Sequence, residues 1–285
     1  MSSDILVPIL DVETIEQDYF RGIATPNGQG RSFGGQVISQ ALAAATRTVE
    51  PERPCHSLHA YFMRPGDATQ PVLYQVNRDM EGRSFSTRRV VAIQAGRPIL
   101  TLSASFNRGT GGMVHQDPMP EGIAPPEDLP SDYDLVMAMG EGLSPRARAF
   151  YERNRPIEIR PATPTPPFAD GPVEGEIFRW MRARQPLGED PGLHRTALAY
   201  ASDLGLLPSA LWKHGRDLFD EGNRTASLDH ALWFHDDFRM DDWLLYGLRS
   251  SWAGRSRGLC EGRVFTREGQ LVASVRQEAL LRVRD

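Results

Sequence analysis

The sequence predicts an α+β fold in which an antiparallel sheet wraps a buried helix, twice over. Long runs alternate apolar and polar residues with period two, the mark of strands with one buried face. A helical stretch in the first half is rich in small residues and nearly free of charge, as suits a helix buried on most sides, and it has a counterpart in the second half. Segments of the first third also recur near the end at almost constant spacing. Leu73-Tyr74 recurs as Leu245-Tyr246 and Gly82-Arg83-Ser84 as Gly254-Arg255-Ser256, each 172 positions on; Gly96-Arg97-Pro98-Ile99-Leu100 aligns with Gly269-Gln270-Leu271-Val272-Ala273 at 173. Matches in one order at nearly one offset mark a tandem duplication, and two copies are too few for a solenoid.

The elements follow in order. In the first copy a helix covers 34–45, and strands are expected at roughly 56–63, 72–79, 84–95 and 98–107. Residues 109–172 hold 12 of the 22 prolines, which predicts a linker over the surface, with one or two short helices between Ser131 and Asn154. In the second copy the helix runs from about Leu193 to Leu207, and strands are expected at 225–235, 243–252, 257–266 and 270–283. The domain organisation expected is therefore 1–108, a proline-rich linker 109–172, and 173–285.

Composition narrows the partners. With 285 residues, 40% of them hydrophobic, the chain reads as an ordinary soluble globular protein. Its net charge of −5 argues against nucleic acid, which wants a basic surface. The opening Met1-Ser2-Ser3-Asp4 lacks the basic region of a secretory signal, and no apolar run approaches the ~18 residues of a membrane span. Cys55 and Cys260 are too few for a disulfide framework or a zinc site, and they read as free thiols of a cytoplasmic protein.

Two polar residues stand where apolar ones are expected, and a third joins them as a possible set. In the final strand, Leu271, Ala273, Val275, Ala279 and Leu281 point one way, and Gln277 falls among them. A buried amide without partners costs about 1–3 kcal/mol, so either backbone groups satisfy it or a site uses it. In the second helix, the same-face neighbours of Asp203 are Ala199, Tyr200, Leu206 and Leu207. A carboxylate there either reaches a backbone amide or serves chemistry; near a helix C-terminus it also opposes the dipole. In strand 225–235, Ser227, Asp229, Ala231 and Trp233 share one face. Ser227 alone could be any small strand residue. Together, Asp203, Ser227 and Gln277 supply a carboxylate, a hydroxyl and an amide, a set able to orient and deprotonate water.

Two patterns mislead. Gly30-Arg31-Ser32-Phe33-Gly34 and Gly254-Arg255-Ser256-Arg257-Gly258 both match the G-x-S-x-G elbow of serine hydrolases. That elbow needs a buried strand before the serine and a helix after it, and neither context supplies both. His230 and His235, five apart on one strand, face opposite ways and do not suggest a shared metal.

The stretches Gly30-Arg31-Ser32-Phe33-Gly34-Gly35-Gln36, His56-Ser57-Leu58-His59-Ala60-Tyr61-Phe62-Met63-Arg64-Pro65-Gly66-Asp67 and Gly82-Arg83-Ser84-Phe85 resemble the type II, TesB-like acyl-CoA thioesterases. So do Ala226-Ser227-Leu228-Asp229-His230-Ala231-Leu232-Trp233-Phe234-His235 and Trp243-Leu244-Leu245-Tyr246. The resemblance covers nearly the whole chain outside the proline-rich stretch. It implies a double hotdog fold, an acyl-CoA substrate, no metal or redox cofactor, and association into a homodimer or tetramer. It also implies a catalytic set of aspartate, threonine or serine, and glutamine in the second half, matching Asp203, Ser227 and Gln277. The expected reaction is hydrolysis of fatty acyl-CoA by a water that Asp203 activates and Ser227 and Gln277 hold. Arg83, Arg88 and Arg89 are plausible partners for the CoA phosphates, beside the plainer reading of solvated strand arginines.

Two other classes remain open from the sequence. A hotdog hydratase places a histidine five positions after its catalytic aspartate, where this chain has Pro208, and no aspartate here has histidine at that spacing. A non-catalytic acyl-CoA binder or sensor could use the same scaffold, although it would have no need of the polar trio.

Overall fold

The computed structural model describes residues 5–109, 111–151 and 155–283. The first half comprises α1 (Leu6–Leu10), β1 (Val12–Glu16), β2 (Tyr19–Gly22), α2 (Gly34–Thr46), β3 (Cys55–Phe62), β4 (Val72–Glu81), β5 (Phe85–Gln94) and β6 (Arg97–Asn107). After α3 (Asp132–Met139) and α4 (Pro145–Tyr151) come β7 (Ile157–Pro161), β8 (Ile177–Ala183), α5 (Pro191–Ala201), α6 (Pro208–Trp212), β9 (Arg224–Ser227), β10 (Asp229–Phe234), β11 (Leu244–Gly254), β12 (Arg257–Thr266) and β13 (Leu271–Arg282).

The strands join into one antiparallel sheet in the order β1-β2-β4-β5-β6-β3-β10-β13-β12-β11-β8-β7, with β9 also on β13. The order explains the repeat. Outward from the central β3–β10 pair, one arm reads β3, β6, β5, β4, β2, β1 and the other β10, β13, β12, β11, β8, β7, element for element. This is a double hotdog of the α+β class. The halves are sewn together by β3–β10 pairing, with Leu58 opposite Leu232 and His59 opposite Ala231. The helices α2 and α5 pack against each other inside the curved sheet. One core runs through both halves, with Ile38, Leu42, Leu58, Leu198, Leu232 and Tyr246 all but inaccessible. Burying a large apolar side chain contributes about 1.5–3 kcal/mol, so this shared core makes the halves one cooperative body.

The structure adds α1, β1, β2 and β8, which the sequence pattern does not predict, and departs from the expected elements in other places. The second helix ends at Ala201, not Leu207: Ser202 caps it, Gly205 turns through a left-handed φ of +84°, and Pro208 opens the separate α6. The expected strand 225–235 is broken at Leu228. The stretch 109–172 carries the two short helices expected within it, α3, with a reciprocal Ser131–Asp134 capping box, and α4, but it also carries β7, which was not expected and pairs with β8. Sheet structure of the second half thus begins before residue 173. Asn154, where the short helices were expected to end, lies outside the described residues.

Residues before α3 are pinned to the sheet's outer face. Met119, Ile123 and Leu129 pack on Trp180, Trp243, Leu245 and Phe265, and Trp180 Nε1 donates to the Ala124 carbonyl at 2.9 Å. On the opposite side, α3 and α4 build a small core of Val136, Leu143 and Ala147 against Tyr151, Phe168 and Phe219. That second cluster walls the site.

Candidate active site

A cavity of about 500 Å³ opens between the halves. Its lining includes Phe33, Gly34 and Val37 from the start of α2, Phe62 from β3, and Asp203 and Ser227 from the second half. Phe150, Tyr151, Phe168 and Phe219 form an aromatic wall of tilted and edge-to-face ring contacts. An apolar trough with a few polar groups converging on it is the usual form of a small-molecule site.

Asp203 stands two residues beyond the end of α5, and its setting differs from the one the sequence suggested. It does reach a backbone amide, but one on the other half: Oδ2 accepts from Gly35 N at 2.9 Å. The carboxylate therefore faces the positive end of the 13-residue α2, an attraction typically worth about 0.3–1 kcal/mol, instead of opposing its own helix. Two glycines permit the approach. A Cβ on Gly34 would lie 2.8 Å from Asp203 Oδ2, and one on Gly35 would lie 2.4 Å from the Tyr200 carbonyl oxygen.

Gln277 is completely buried and donates from Nε2 to Asp203 Oδ1 at 2.8 Å. Its other amide hydrogen goes to His230 Nδ1 at 3.2 Å. His230 must then carry its proton on Nε2, which lies 2.9 Å from Ser202 Oγ, whose own hydrogen goes to the Ala199 carbonyl. Burial lowers the pKa of His230 and keeps the ring neutral, as an acceptor role requires. The chain Ser202–His230–Gln277–Asp203 thus fixes the carboxylate from behind. Among the described residues Gln277 Oε1 has no hydrogen-bond partner, a local cost of about 1–3 kcal/mol.

Ser227 reaches the cavity through a bulge. It pairs with Ala279, whereas Ala231 pairs with Arg276, so four steps on one strand oppose three on the other. The extra residue reverses which side faces inward. Ser227 accordingly shares the inner side with Gln277 and Ala279, not the outer side with Asp229 as strict alternation predicted. Asp229 holds the kink by accepting from Glu278 N at 2.6 Å. Among the described residues the Ser227 hydroxyl has no hydrogen-bond partner, and it lines the cavity as Asp203 does.

The remaining sequence candidates fall elsewhere. Arg88 is a buried structural residue bonded to Thr48 and Glu81, Arg89 pairs with Asp79, and Arg83 does not line the cavity. Arg31 and Arg64 do line it and are exposed. Ser32 also lines it, in a loop, while Ser256 sits in the two-residue turn between β11 and β12. His235 is exposed and bonds Ser274, on the side away from buried His230. Cys55 and Cys260 are free and buried, with thiols pushed up to about 12 and about 11 by desolvation.

Sequence reasoning passed over four contributors. His230 had a legible signal, a histidine on an otherwise apolar strand face with Leu228, Leu232 and Phe234. Gly34-Gly35 could be read as a close approach to a helix start. Ser202 gave no signal. Arg179, on β8, lay in a strand that was not anticipated. It is nine-tenths buried in the cavity wall and has no hydrogen-bond acceptor or ion-pair partner among the described residues. Its guanidinium stacks over Trp212 at 5.0 Å. A desolvated cation–π contact is worth about 2 kcal/mol, less than the several kcal/mol that burying a charge costs.

Comparison with known proteins decides the family. The model of acyl-CoA thioesterase matches residues 147–280, and that of the acyl-CoA thioesterase N-terminal domain matches 23–107. The chain belongs to the acyl-CoA thioesterases. It is 39% identical to human acyl-coenzyme A thioesterase 8 over all of this chain and 91% of that one. It is 35% identical to acyl-CoA thioesterase 2 of Haemophilus influenzae, over 98% and 99% of the two chains. The crystal structure of acyl-CoA thioesterase II TesB2 from Mycobacterium marinum superposes with a TM-score of 0.78 at 40% identity, covering 98% of each chain. This thioesterase is thus a type II, TesB-like hydrolase of acyl-CoA thioester bonds, and the hydratase and binder readings lose their support.

Proposed function

We propose that this thioesterase cleaves fatty acyl-CoA by direct attack of water, with Asp203 as general base and Ser227 and Gln277 completing the catalytic set. One observation carries the reading: a carboxylate held by the Gly35 amide and the Gln277 side chain lines the same cavity as an unpartnered Ser227 hydroxyl. Water bound between them attacks the thioester carbonyl carbon as its proton passes to Asp203. Collapse of the tetrahedral intermediate breaks the C–S bond, and the proton returns to the departing CoA sulfur, leaving a free fatty acid. Holding the water in place offsets much of the entropy of a bimolecular encounter. Gln277, behind Asp203, acts by aiming the carboxylate; Ser227 touches the water.

The exposed Arg31 and Arg64 at the cavity are the arginines best placed for CoA phosphates. We also infer a cytoplasmic homo-oligomer, a dimer or tetramer. Unpaired free thiols fit that compartment, no described helix is long and apolar enough to cross a membrane, and the terminal strands β1 and β7 each leave one edge for association. Light scattering of the purified protein reads the oligomeric state. Incubation with palmitoyl-CoA and a thiol reagent tests the chemistry. Release of CoA is expected, with no acylated peptide containing Ser227, Ser32 or Ser256 in mass spectra of quenched reactions. An acyl adduct that forms and decays at the turnover rate would overturn direct attack.

A further inference from the structure

The outer corner of the second half carries a positive surplus that hydrolysis does not use. Strands β11 and β12 are joined by the two-residue turn Arg255-Ser256, with both residues at left-handed φ, 52° and 58°. Such a turn favours asparagine and glycine, so an arginine at its tip is held at a conformational cost. The Leu281 amide donates to the Ser256 carbonyl at 2.8 Å, which sets this turn beside the end of β13. There Arg282 stands directly opposite Arg224 of β9, and Leu280 opposite Ala226. Like charges directly opposite on paired strands destabilise a sheet. Arg224, Arg255 and Arg282 are exposed and make no ion pair or side-chain hydrogen bond among the described residues. The carboxylates on this face are engaged elsewhere: Glu278 pairs with Arg257, Glu261 with Arg249 and Arg276, and Asp229 accepts from Glu278 N. Glu221, in the turn before Arg224, is exposed and pairs with none of the three.

An aromatic side chain lies among these cations. Trp252 is 44% exposed, and the Arg257 guanidinium sits 5.7 Å from its ring centroid. Trp252 pairs with Leu259 and Arg257 with Leu280, so Trp252, Leu259, Leu280, Arg224 and Arg282 share one side of the sheet. That is the outer side, because Ser227 and Ala279 alternate inward. Tryptophan and arginine around half-buried leucines suit the boundary of a bilayer, with the ring among headgroups and the guanidiniums on phosphates. On a chain of net charge −5, a local surplus of this sign selects an anionic surface. We propose that Trp252, Arg255 and the Arg224–Arg282 pair dock this thioesterase on an anionic phospholipid bilayer. Lipid phosphates between Arg224 and Arg282 remove the repulsion that the free protein carries. Docking by the outer side leaves the cavity side of β9 free. The benefit, a hydrolase held where acyl chains partition, rests on the hydrolysis proposed above; the docking itself does not.

Sedimentation of the purified protein with vesicles reads the docking without reference to turnover. Binding is expected to phosphatidylcholine vesicles containing phosphatidylglycerol and not to phosphatidylcholine alone, and it should weaken steeply with added salt. Each arginine at an anionic surface strengthens binding about fivefold, so Arg224→Gln with Arg282→Gln should weaken it by about 25-fold. Trp252→Ser should weaken it too, and binding should shift the emission of the unmodified protein to the blue, a shift that Trp252→Phe removes. Without vesicles, Arg224→Gln should raise the melting temperature by relieving the cross-strand repulsion. The double variant should then hydrolyse hexanoyl-CoA with unchanged kcat and KM. Binding that is absent, equal on both kinds of vesicle, or retained in the folded double variant would overturn the docking. A raised KM for hexanoyl-CoA in the double variant would overturn it by placing these arginines in the substrate site. Displacement from vesicles by inorganic phosphate at matched ionic strength would do so by marking a free-anion site. Slower turnover of an acyl group on an acidic carrier protein in the double variant, with no vesicle binding, would assign the patch to a protein partner instead.

Discussion

At the scale of single residues the site is a carboxylate held from two sides, by the Gly35 amide and the Gln277 side chain, so its members should fail as a unit. Asp203→Ala removes the proposed base and should lower kcat by about 10²–10⁴-fold, with the melting temperature level or raised. Ser227→Ala and Gln277→Ala should each slow turnover, and the double variant should be much less impaired than the product of the singles, while Ser227→Thr stays active. His230 can be tested by borrowing from the other half. Gln277 lies one rung from the Ala231–Arg276 pair and so faces His230; the equivalent rung of the first half is Leu58 opposite Ala104. Since leucine is accommodated there, His230→Leu should fold yet lose kcat with little change in KM, because only the aim of Gln277 is lost. The buried neutral ring also sets a pH dependence. Its folded pKa is depressed, so its contribution is present above the unfolded value near 6.5 and is lost as pH falls below it. Asp217 has the opposite sign. Burial raises it from 3.8 to about 6, so the folded state favours the protonated acid and loses stability as pH rises through about 6. Asp217→Asn, which keeps the acceptor for Leu218 N, should therefore raise the melting temperature at pH 7.5 and not at pH 4. Thermal denaturation at the two pH values decides it.

At the scale of elements, what could be read in the sequence depended on whether an element's pattern was carried by its own residues. Strands β3 to β6 and β11 to β13 alternate cleanly and lie where the pattern puts them, within about two residues. Strands β1, β2 and β7 have four or five residues, too few for periodicity to stand out, and β7 sits among prolines. All three were missed, as was the seven-residue β8. Asp203 and Gln277 stood out in the sequence because each broke a local pattern and Ser227 only by joining them, yet the local readings of Asp203 and Ser227 missed their settings. The bulge that turns Ser227 inward depends on pairing with β13, and the amide that Asp203 meets belongs to the other half. Neither is encoded in the residues nearby. The Gly34-Gly35 pair is where tertiary demand is most exacting, and this gives an element-level prediction. Gly35→Ala sets a methyl against a backbone carbonyl at 2.4 Å and should destabilise the contact of α2 with α5. Gly34→Ala instead crowds the tip of the Asp203 side chain at 2.8 Å and Phe62 at 2.9 Å, so it should reduce kcat much more than melting temperature. Equal loss in both readouts for Gly34→Ala would mean the glycine serves packing alone.

At the scale of the whole molecule, the duplication raises the question of why two like halves should hold one site. Position by position, the first half carries other residues where the second has the proposed catalytic set, and they fill the space. Thr48 stands two residues past the end of α2, as Asp203 does past α5; Ala104 replaces Gln277, and Leu58 replaces His230. On the neighbouring strand Arg88 pairs with Ala104 as Cys260 pairs with Gln277. Arg88 is buried to within 1%, and its guanidinium donates to Thr48 Oγ1 at 2.8 Å and the Thr48 carbonyl at 2.9 Å while pairing with Glu81. The position equivalent to the active site is thus plugged by an arginine whose hydrogen bonds are met within the half. The first half serves the reaction differently, by presenting the start of α2 to Asp203 and one wall of the cavity. Active-site titration should accordingly give one site per chain. Arg88→Met should cost about 2–3 kcal/mol of stability by leaving Thr48 and Glu81 without their cation. Activity per folded molecule should hardly change, because the plug lies in the half that carries no base. Two sites per chain, or turnover that falls in Arg88→Met at temperatures where the fold persists, would show that the first half takes part in the chemistry directly.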